Sequence, residues 1–334
     1  MVAGCADDDD NVVRAMSSFV VLLAAPRGFC AGVERAIRTV ELALENRPVG
    51  DTRPVYVRHE IVHNKTVVND LRARGAVFVE DTREIPAGAT AVFSAHGVSP
   101  QVREEAAARE LLTLDATCPL VSRVHAAVLR YAARGYTILF VGHAGHPEVE
   151  GVQGEAPERV ILVETLDDAD RVQVPDPARV AYATQTTLSM DDVAAIVQRL
   201  RERFPSMVGP ETGDVCYATT NRQEAVRALV ERHQADVVLV LGSPNSSNSN
   251  RLREVAELSG ARAYLLGSAS ELDPEWLENA RRVGISAGAS TPEHLVQALV
   301  DRLRDLGASD VETVETRVED VFFAPPPVRR VAHA

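Results

Sequence analysis

Short apolar runs alternate with longer stretches of helical periodicity along almost the whole chain. The runs at 19–25, 54–58, 76–80, 90–94, 137–141, 160–163, 180–183, 236–241, 262–266 and 283–286 have the length and β-branched content of buried strands. Between them apolar residues recur at helical spacing, as in Val33, Ile37, Val40 and Leu44. Helices are predicted at about 33–45, from 65 to about 74, after Ser99-Pro100, and at 120–134, 191–203, 222–232, 251–258 and 293–306. Strands that alternate with helices imply parallel sheets covered on both faces. In such sheets ligands sit beyond the carboxyl ends of the strands, where the polar loops of this chain fall.

Three of the corners between an apolar run and a helix carry a cysteine, at Cys30, Cys118 and Cys216, spaced 88 and 98 residues apart. Each opens a unit of similar plan, which is a domain-scale repeat and not a solenoid period. The expected architecture is therefore α/β: a trefoil of three similar α/β domains with small, mainly parallel sheets around a pseudo-threefold centre. The expected divisions are a disordered extension at 1–18, units at 19–113, 114–211 and 212–306, and a C-terminal brace and tail at 307–334. At 334 residues, more than one core is the sensible expectation.

Composition narrows the partners. A formal charge of -13 disfavours a nucleic-acid footprint, which needs a basic face. No apolar run approaches the roughly 18 residues needed to span a bilayer. The acidic first residues are neither a secretory signal nor a transit peptide. Met16 is a second candidate start, and Cys5 lies in this loose segment as an incidental thiol. Four cysteines without an export signal point to a reducing, cytoplasmic compartment. A monomer is expected.

Three thiolates suit zinc or an iron-sulfur cluster, and the chain lacks the C-x-x-C pairs that would decide between them by spacing. With three ligands, a cubane cluster keeps one iron open to substrate. His63, His96 and His146 lie in separate strand-end loops, beside His59 and His143. As a set they form a candidate positive cradle for an anion, and singly each can serve only to fix a loop. Thr186, Thr187, Ser246, Ser247, Asn248 and Ser290 supply hydroxyl and amide groups before helices, where caps and anion sites coincide. Glu148, two residues after His146, is a candidate proton donor. A zinc hydrolase and an iron-sulfur regulatory or binding protein are the rival functional classes.

Several motifs resemble the (E)-4-hydroxy-3-methylbut-2-enyl diphosphate reductases of the LytB type, from about residue 19 to 323. They are Pro-Arg-Gly-Phe-Cys-Ala-Gly-Val at 26–33, Arg-His-Glu-Ile-Val-His-Asn at 58–64, Ser-Ala-His-Gly-Val-Ser at 94–99 and Asp-Ala-Thr-Cys-Pro-Leu-Val at 115–121. Others are Gly-His-Ala-Gly-His-Pro-Glu-Val-Glu-Gly at 142–151, Thr-Gln-Thr-Thr-Leu-Ser at 184–189, Cys-Tyr-Ala-Thr-Thr-Asn-Arg-Gln at 216–223 and Asn-Ser-Ser-Asn-Ser-Asn-Arg-Leu at 245–252. The resemblance implies a [4Fe-4S] cluster on Cys30, Cys118 and Cys216 with one open iron, and a diphosphate held by His63, His96, His146, Thr187, Ser246, Ser247, Asn248 and Ser290. It implies a proton relay of Glu148 with Thr186 and an ordered water. It also implies ferredoxin or flavodoxin as electron donor and reduction of the allylic diphosphate to isopentenyl and dimethylallyl diphosphate, the last step of the methylerythritol phosphate route to isoprenoids.

Overall fold

A computed structural model describes residues 18–47, 53–210 and 214–327. Cys5, Met16, nearly all of the expected extension and the tail beyond 327 lie outside the described residues.

The chain begins with β1 (Phe19–Ala25), α1 (Ala31–Glu45), β2 (Val55–Arg58), α2 (Lys65–Ala73), β3 (Ala76–Val79), β4 (Thr90–Phe93), α3 (Pro100–Ala108) and β5 (Leu112–Asp115). It continues through α4 (Pro119–Ala133), β6 (Thr137–Val141), α5 (Pro147–Glu155), β7 (Val160–Val163), α6 (Leu166–Arg171), β8 (Val180–Thr184) and α7 (Met190–Arg203). It ends with α8 (Tyr217–Arg227), β9 (Val237–Leu241), α9 (Ser247–Leu258), β10 (Arg262–Leu266), β11 (Arg282–Ala287), α10 (Glu293–Asp305) and β12 (Ala308–Glu315).

The strands form three sheets, ordered β3-β2-β4-β5, β7-β6-β8 and β10-β9-β11-β1-β12, and their pairings are parallel. Each sheet has an apolar cluster on both faces, as expected when crossover helices cover a parallel sheet. In β1, Phe19, Val21 and Leu23 enter one cluster while Leu22 and Ala24 enter the other. In β6 all five residues are buried.

One expectation about the units is corrected. β1 was assigned to the unit 19–113, but it lies between β11 and β12 in the last sheet, with Val20 to Leu23 in register with Arg282 to Ile285. A strand apolar on both faces gains most from a central position with cover above and below. In the first sheet the place beside β4 is taken by β5, which was not foreseen. Because β5 runs through Asp115, the expected division at 114 also cuts a strand. The brace expected after residue 306 is β12, which pairs with β1 from end to end.

The corners therefore hand the chain from one sheet to the next. Cys30 follows β1 of the last sheet and opens α1, whose Val33, Ala36 and Val40 pack on the first sheet. Cys118 follows β5 of the first sheet and opens α4, whose Val124 and Val128 pack on the second. Cys216 opens α8, whose Ala225 and Val226 pack on the third.

Arg222 of α8 fastens this centre and is fully buried. Its guanidinium donates to the carbonyls of Gly28 (2.7 and 3.0 Å), Phe29 (3.1 Å) and Ala218 (2.9 Å), and to the Glu319 carboxylate at 3.0 and 3.2 Å. Gly28 has φ +65°, and a Cβ there would stand 3.0 Å from the Thr291 carbonyl oxygen, so the turn into Cys30 requires glycine. On the opposite side Arg35 of α1 donates to the Thr117 carbonyl at 2.8 Å and to that of Ala324 at 3.0 Å.

Helix starts differ from the periodicity in two places: α8 begins at Tyr217, not 222, and α9 at Ser247, not 251. Among the described residues no helix is long and apolar enough to cross a membrane.

Replacing Arg222 with Met should leave three carbonyls and the Glu319 carboxylate without their cation. The expected loss is on the order of 3–5 kcal/mol, the range for breaking one side of a buried ion pair. Chemical denaturation of the variant against wild type measures it.

Candidate active site

The three cysteines are N-cap residues, of α1, α4 and α8. Each amide N–H is donated to a carbonyl in a strand-end loop: Cys30 to Ala289 at 3.2 Å, Cys118 to Ala95 at 3.0 Å and Cys216 to Thr186 at 3.0 Å. In each case the accepting residue either adjoins or is itself one of the polar residues expected to hold substrate. The backbone thus repeats one joint three times and aims three thiols at one place.

The thiols line a cavity of about 100 Å³. A Cβ on Gly32 would stand 2.6 Å from the Cys118 sulfur, so glycine is what allows α1 to approach that thiol. Thr219 donates its amide N–H to the Cys216 sulfur at 3.4 Å. Burial, then the nearby sulfurs, pushes the Cys118 thiol up to about 12, and burial likewise raises Cys216. Both shifts favour the protonated thiol; a cationic group bound among the sulfurs would reverse that balance. Among the described residues no three His, Cys, Asp or Glu side chains are placed to share a single metal ion. Three soft sulfur donors around one cavity are a donor set that suits an iron-sulfur centre.

The same cavity is lined by His63, His96 and His146, by Thr186, Thr187 and Glu148, and by Ser246, Ser247, Asn248 and Ser290. Every residue expected from the sequence to hold substrate, move a proton or ligate iron therefore faces one space. Ring centroids of His63 and His96 are 4.2 Å apart, and His146 lies 5.3 and 5.6 Å from them. Burial and the other imidazoles hold His96 well below the usual histidine range and bring His146 down to about 3. Burial thus works against a positive charge on two of the three rings of the expected cradle.

Ser246 caps α9 by accepting from the Ser249 amide. Thr187 Oγ1 donates to Ser247 Oγ at 3.2 Å, which joins the loop after β8 to the start of α9. Asn248 Oδ1 accepts from the Ala289 amide at 2.9 Å, while its Nδ2 is buried without a partner. Ser290 Oγ donates to the His63 carbonyl at 3.0 Å.

Glu148 is almost wholly buried in the first turn of α5. Its Oε1 accepts from the Thr186 amide at 2.8 Å and its Oε2 from the Thr186 hydroxyl at 3.0 Å. Burial raises its pKa to about 7, with the Asp214 carboxylate pushing in the same direction against the two Thr186 bonds. Near neutral pH it can hold a proton and give one up.

Sequence reading missed four contributors: Gly32, Thr219, Arg222 and Asp214. All but Asp214 fall inside the quoted motifs, so their presence was visible but their contacts were not. His59 and His143, which the sequence could not place, do not line the cavity: His59 pairs with Glu80, and the His143 amide donates to Gln185.

Because the Glu148 pKa is raised above that of an exposed glutamate, its favourable contribution is complete below about pH 4.5 and is lost as pH rises through about 7. Glu148→Gln should therefore be more stable than wild type at pH 8.5 by about 3 kcal/mol, a difference that shrinks toward zero below pH 5. Thermal unfolding across that range tests the sign.

Residues 21–304 match the family model described as LytB protein. The chain is 56% identical over 306 residues to the 4-hydroxy-3-methylbut-2-enyl diphosphate reductase of Aromatoleum aromaticum, covering 92% of this chain and 96% of that relative. It is also 56% identical to the enzyme of that name from Bordetella pertussis, covering 92% of each. The solved E-1-hydroxy-2-methyl-but-2-enyl-4-diphosphate reductase from Plasmodium falciparum superposes with a TM-score of 0.86 at 40% identity, covering 91% of this chain and 94% of that one. A solved (E)-4-hydroxy-3-methyl-but-2-enyl diphosphate reductase, the terminal enzyme of the non-mevalonate pathway, gives 0.59 at 33% identity over 86% of this chain and all of that one. On this sequence match and this shared architecture, the chain belongs to the LytB family.

Proposed function

We propose that this chain is a 4-hydroxy-3-methylbut-2-enyl diphosphate reductase, converting the allylic alcohol diphosphate to isopentenyl and dimethylallyl diphosphate. The observation that carries the reading is the meeting of three thiols, three imidazoles and one protonatable buried carboxylate in a single cavity. The overall change consumes two electrons and two protons: the carbon–oxygen bond breaks, a carbon–hydrogen bond forms, and the hydroxyl leaves as water.

Cys30, Cys118 and Cys216 would hold a [4Fe-4S] cluster at three helix N-termini, where the helix dipoles favour thiolate over thiol. When bound, the cluster supplies electrons one at a time and Lewis acidity at the bond that breaks. The diphosphate is gripped by His63, His96 and His146, by the Ser246, Ser247 and Ser290 hydroxyls and Thr187, and by the unpartnered Asn248 Nδ2. This remote grip supplies the binding energy that positions the far end of a small substrate. Glu148 delivers a proton to the departing oxygen. Thr186, bonded to both of its carboxyl oxygens, fixes its orientation and passes the replacement proton through a water. The three sheets are taken as three lobes around this site, acting as a monomer in the reducing cytoplasm with ferredoxin or flavodoxin as electron donor.

Anaerobic reconstitution with iron and sulfide should give a brown protein with about four irons per chain; a colourless product would refute the cluster. Gly32→Ala should fold but bind markedly less iron, since its new methyl group takes the space of the Cys118 sulfur. Glu148→Gln should keep wild-type iron content and lose turnover of the allylic diphosphate by about 10²–10⁴, the span of general acid catalysis. Wild-type turnover in that variant would remove Glu148 from the proton path.

A further inference from the structure

The three imidazoles of the anion pocket differ in what their second ring nitrogen touches. His146 Nδ1 accepts from the Glu148 backbone amide at 3.1 Å. That bond leaves the ring proton on Nε2, so a neutral His146 already presents an N–H donor. His96 Nδ1 lies 3.2 Å from the Ser94 hydroxyl, which can donate to it and leave the same tautomer. His63 is the reverse case. Its Nδ1 lies 3.3 Å from Glu60 Oε2, an acceptor, and farther, 3.5 Å, from the Asn245 Nδ2 donor, which is already spent on Glu60 at 2.8 Å; the shorter contact favours a proton on Nδ1. A neutral His63 would then turn the bare lone pair of Nε2 outward, and Nε2 is buried with no partner. A bare nitrogen repels a phosphate oxygen. For Nε2 to donate to an anion while Nδ1 serves Glu60, the ring must carry both protons.

Glu60 is itself held for this task. Asn245 Nδ2, from the loop before α9, donates to the same Oε2 at 2.8 Å, while Ser290 fixes the His63 carbonyl from the loop after β11. Bonding to His63 lowers the pKa of Glu60 and keeps it ionised. A carboxylate beside an anion pocket is a liability unless it is matched by a cation. The groups around His63 are Glu60, the rings of His96 and His146, and Asn245, with Lys65 near Glu60 and His59 near His96. With rings 4.2 to 5.6 Å apart, a second imidazolium would be opposed by the first.

We propose that Glu60 is a positioning residue that makes His63 the one imidazolium of the three, so that bound diphosphate meets two neutral N–H donors and one charged one. This rests on the diphosphate reading given under Proposed function. The charge is placed on the ring whose backbone and carboxylate partner are both secured from another part of the chain. Completing the charged donor therefore requires the loop after β2 to meet the loops after β9 and β11.

The test uses the reconstituted holoenzyme, with inorganic diphosphate as probe in calorimetric titrations from pH 5.5 to 9, on wild type, Glu60→Gln and Glu60→Asp. Glu60→Gln should bind diphosphate about five- to tenfold more weakly near pH 7, the effect of losing one charge-assisted contact. Its KM for the allylic diphosphate should rise by more than kcat falls. Glu60→Asp, which keeps the carboxylate charge, should bind diphosphate close to wild type. Ionisation of the ligand is common to all three proteins and cancels in the comparison. If Glu60→Gln binds diphosphate as wild type does across that range, the assignment of the charge to His63 through Glu60 is wrong. If wild type itself fails to bind diphosphate, the substrate reading falls and takes this inference with it.

Discussion

Everything at the centre of this molecule depends on one joint used three times: a cysteine amide bonded to a carbonyl at the mouth of a neighbouring strand. The bonds from Cys30 to Ala289, Cys118 to Ala95 and Cys216 to Thr186 each tie a thiol corner to a loop that carries a polar group of the pocket. A thiol cannot shift without dragging the hydroxyl or imidazole beside it. The thiols and the polar groups of the cavity are thereby held in one frame, and catalysis gains from rigid placement of this kind.

The pocket uses burial to sort its titratable groups. Desolvation lowers the pKa of His96 and His146, raises Glu148 into the physiological range and pushes the Cys118 and Cys216 thiols up, a balance that a cation would offset. One environment thus favours uncharged donors at one end, a movable proton in the middle and a demand for positive charge at the other. An acidic protein can in this way bind a dianionic group without a lysine-rich face.

Much of this was legible in the sequence. The strands 137–141, 160–163 and 262–266 came out with the bounds they have because each is a short apolar run flanked by turn residues. The residues facing the cavity were legible because they cluster in polar loops at strand ends. Sheet membership was not, since β1 pairs with strands more than 250 residues away and nothing local encodes that choice. Helix α5 was hidden because Gly151 and Gly154 interrupt its pattern, and those glycines face close neighbours in His125 and Ser99. The start of α8 was hidden because Asn221, Arg222 and Gln223 are polar yet buried, which inverts the periodicity that marks a helix. Protonation states were beyond reach, because they follow from hydrogen-bond partners and not from residue types.

The placement of β1 bears on how the protein is made. Among the described residues the first strand fits between the last two, β11 and β12, and the turn into Cys30 is fastened by Arg222 together with Glu319. The Cys30 corner thus ends a strand whose partners lie more than 250 residues further along the chain. Its thiol is held in place by long-range closure of the last sheet, so the cavity that gathers the three cysteines arises with the completed fold and from no local segment.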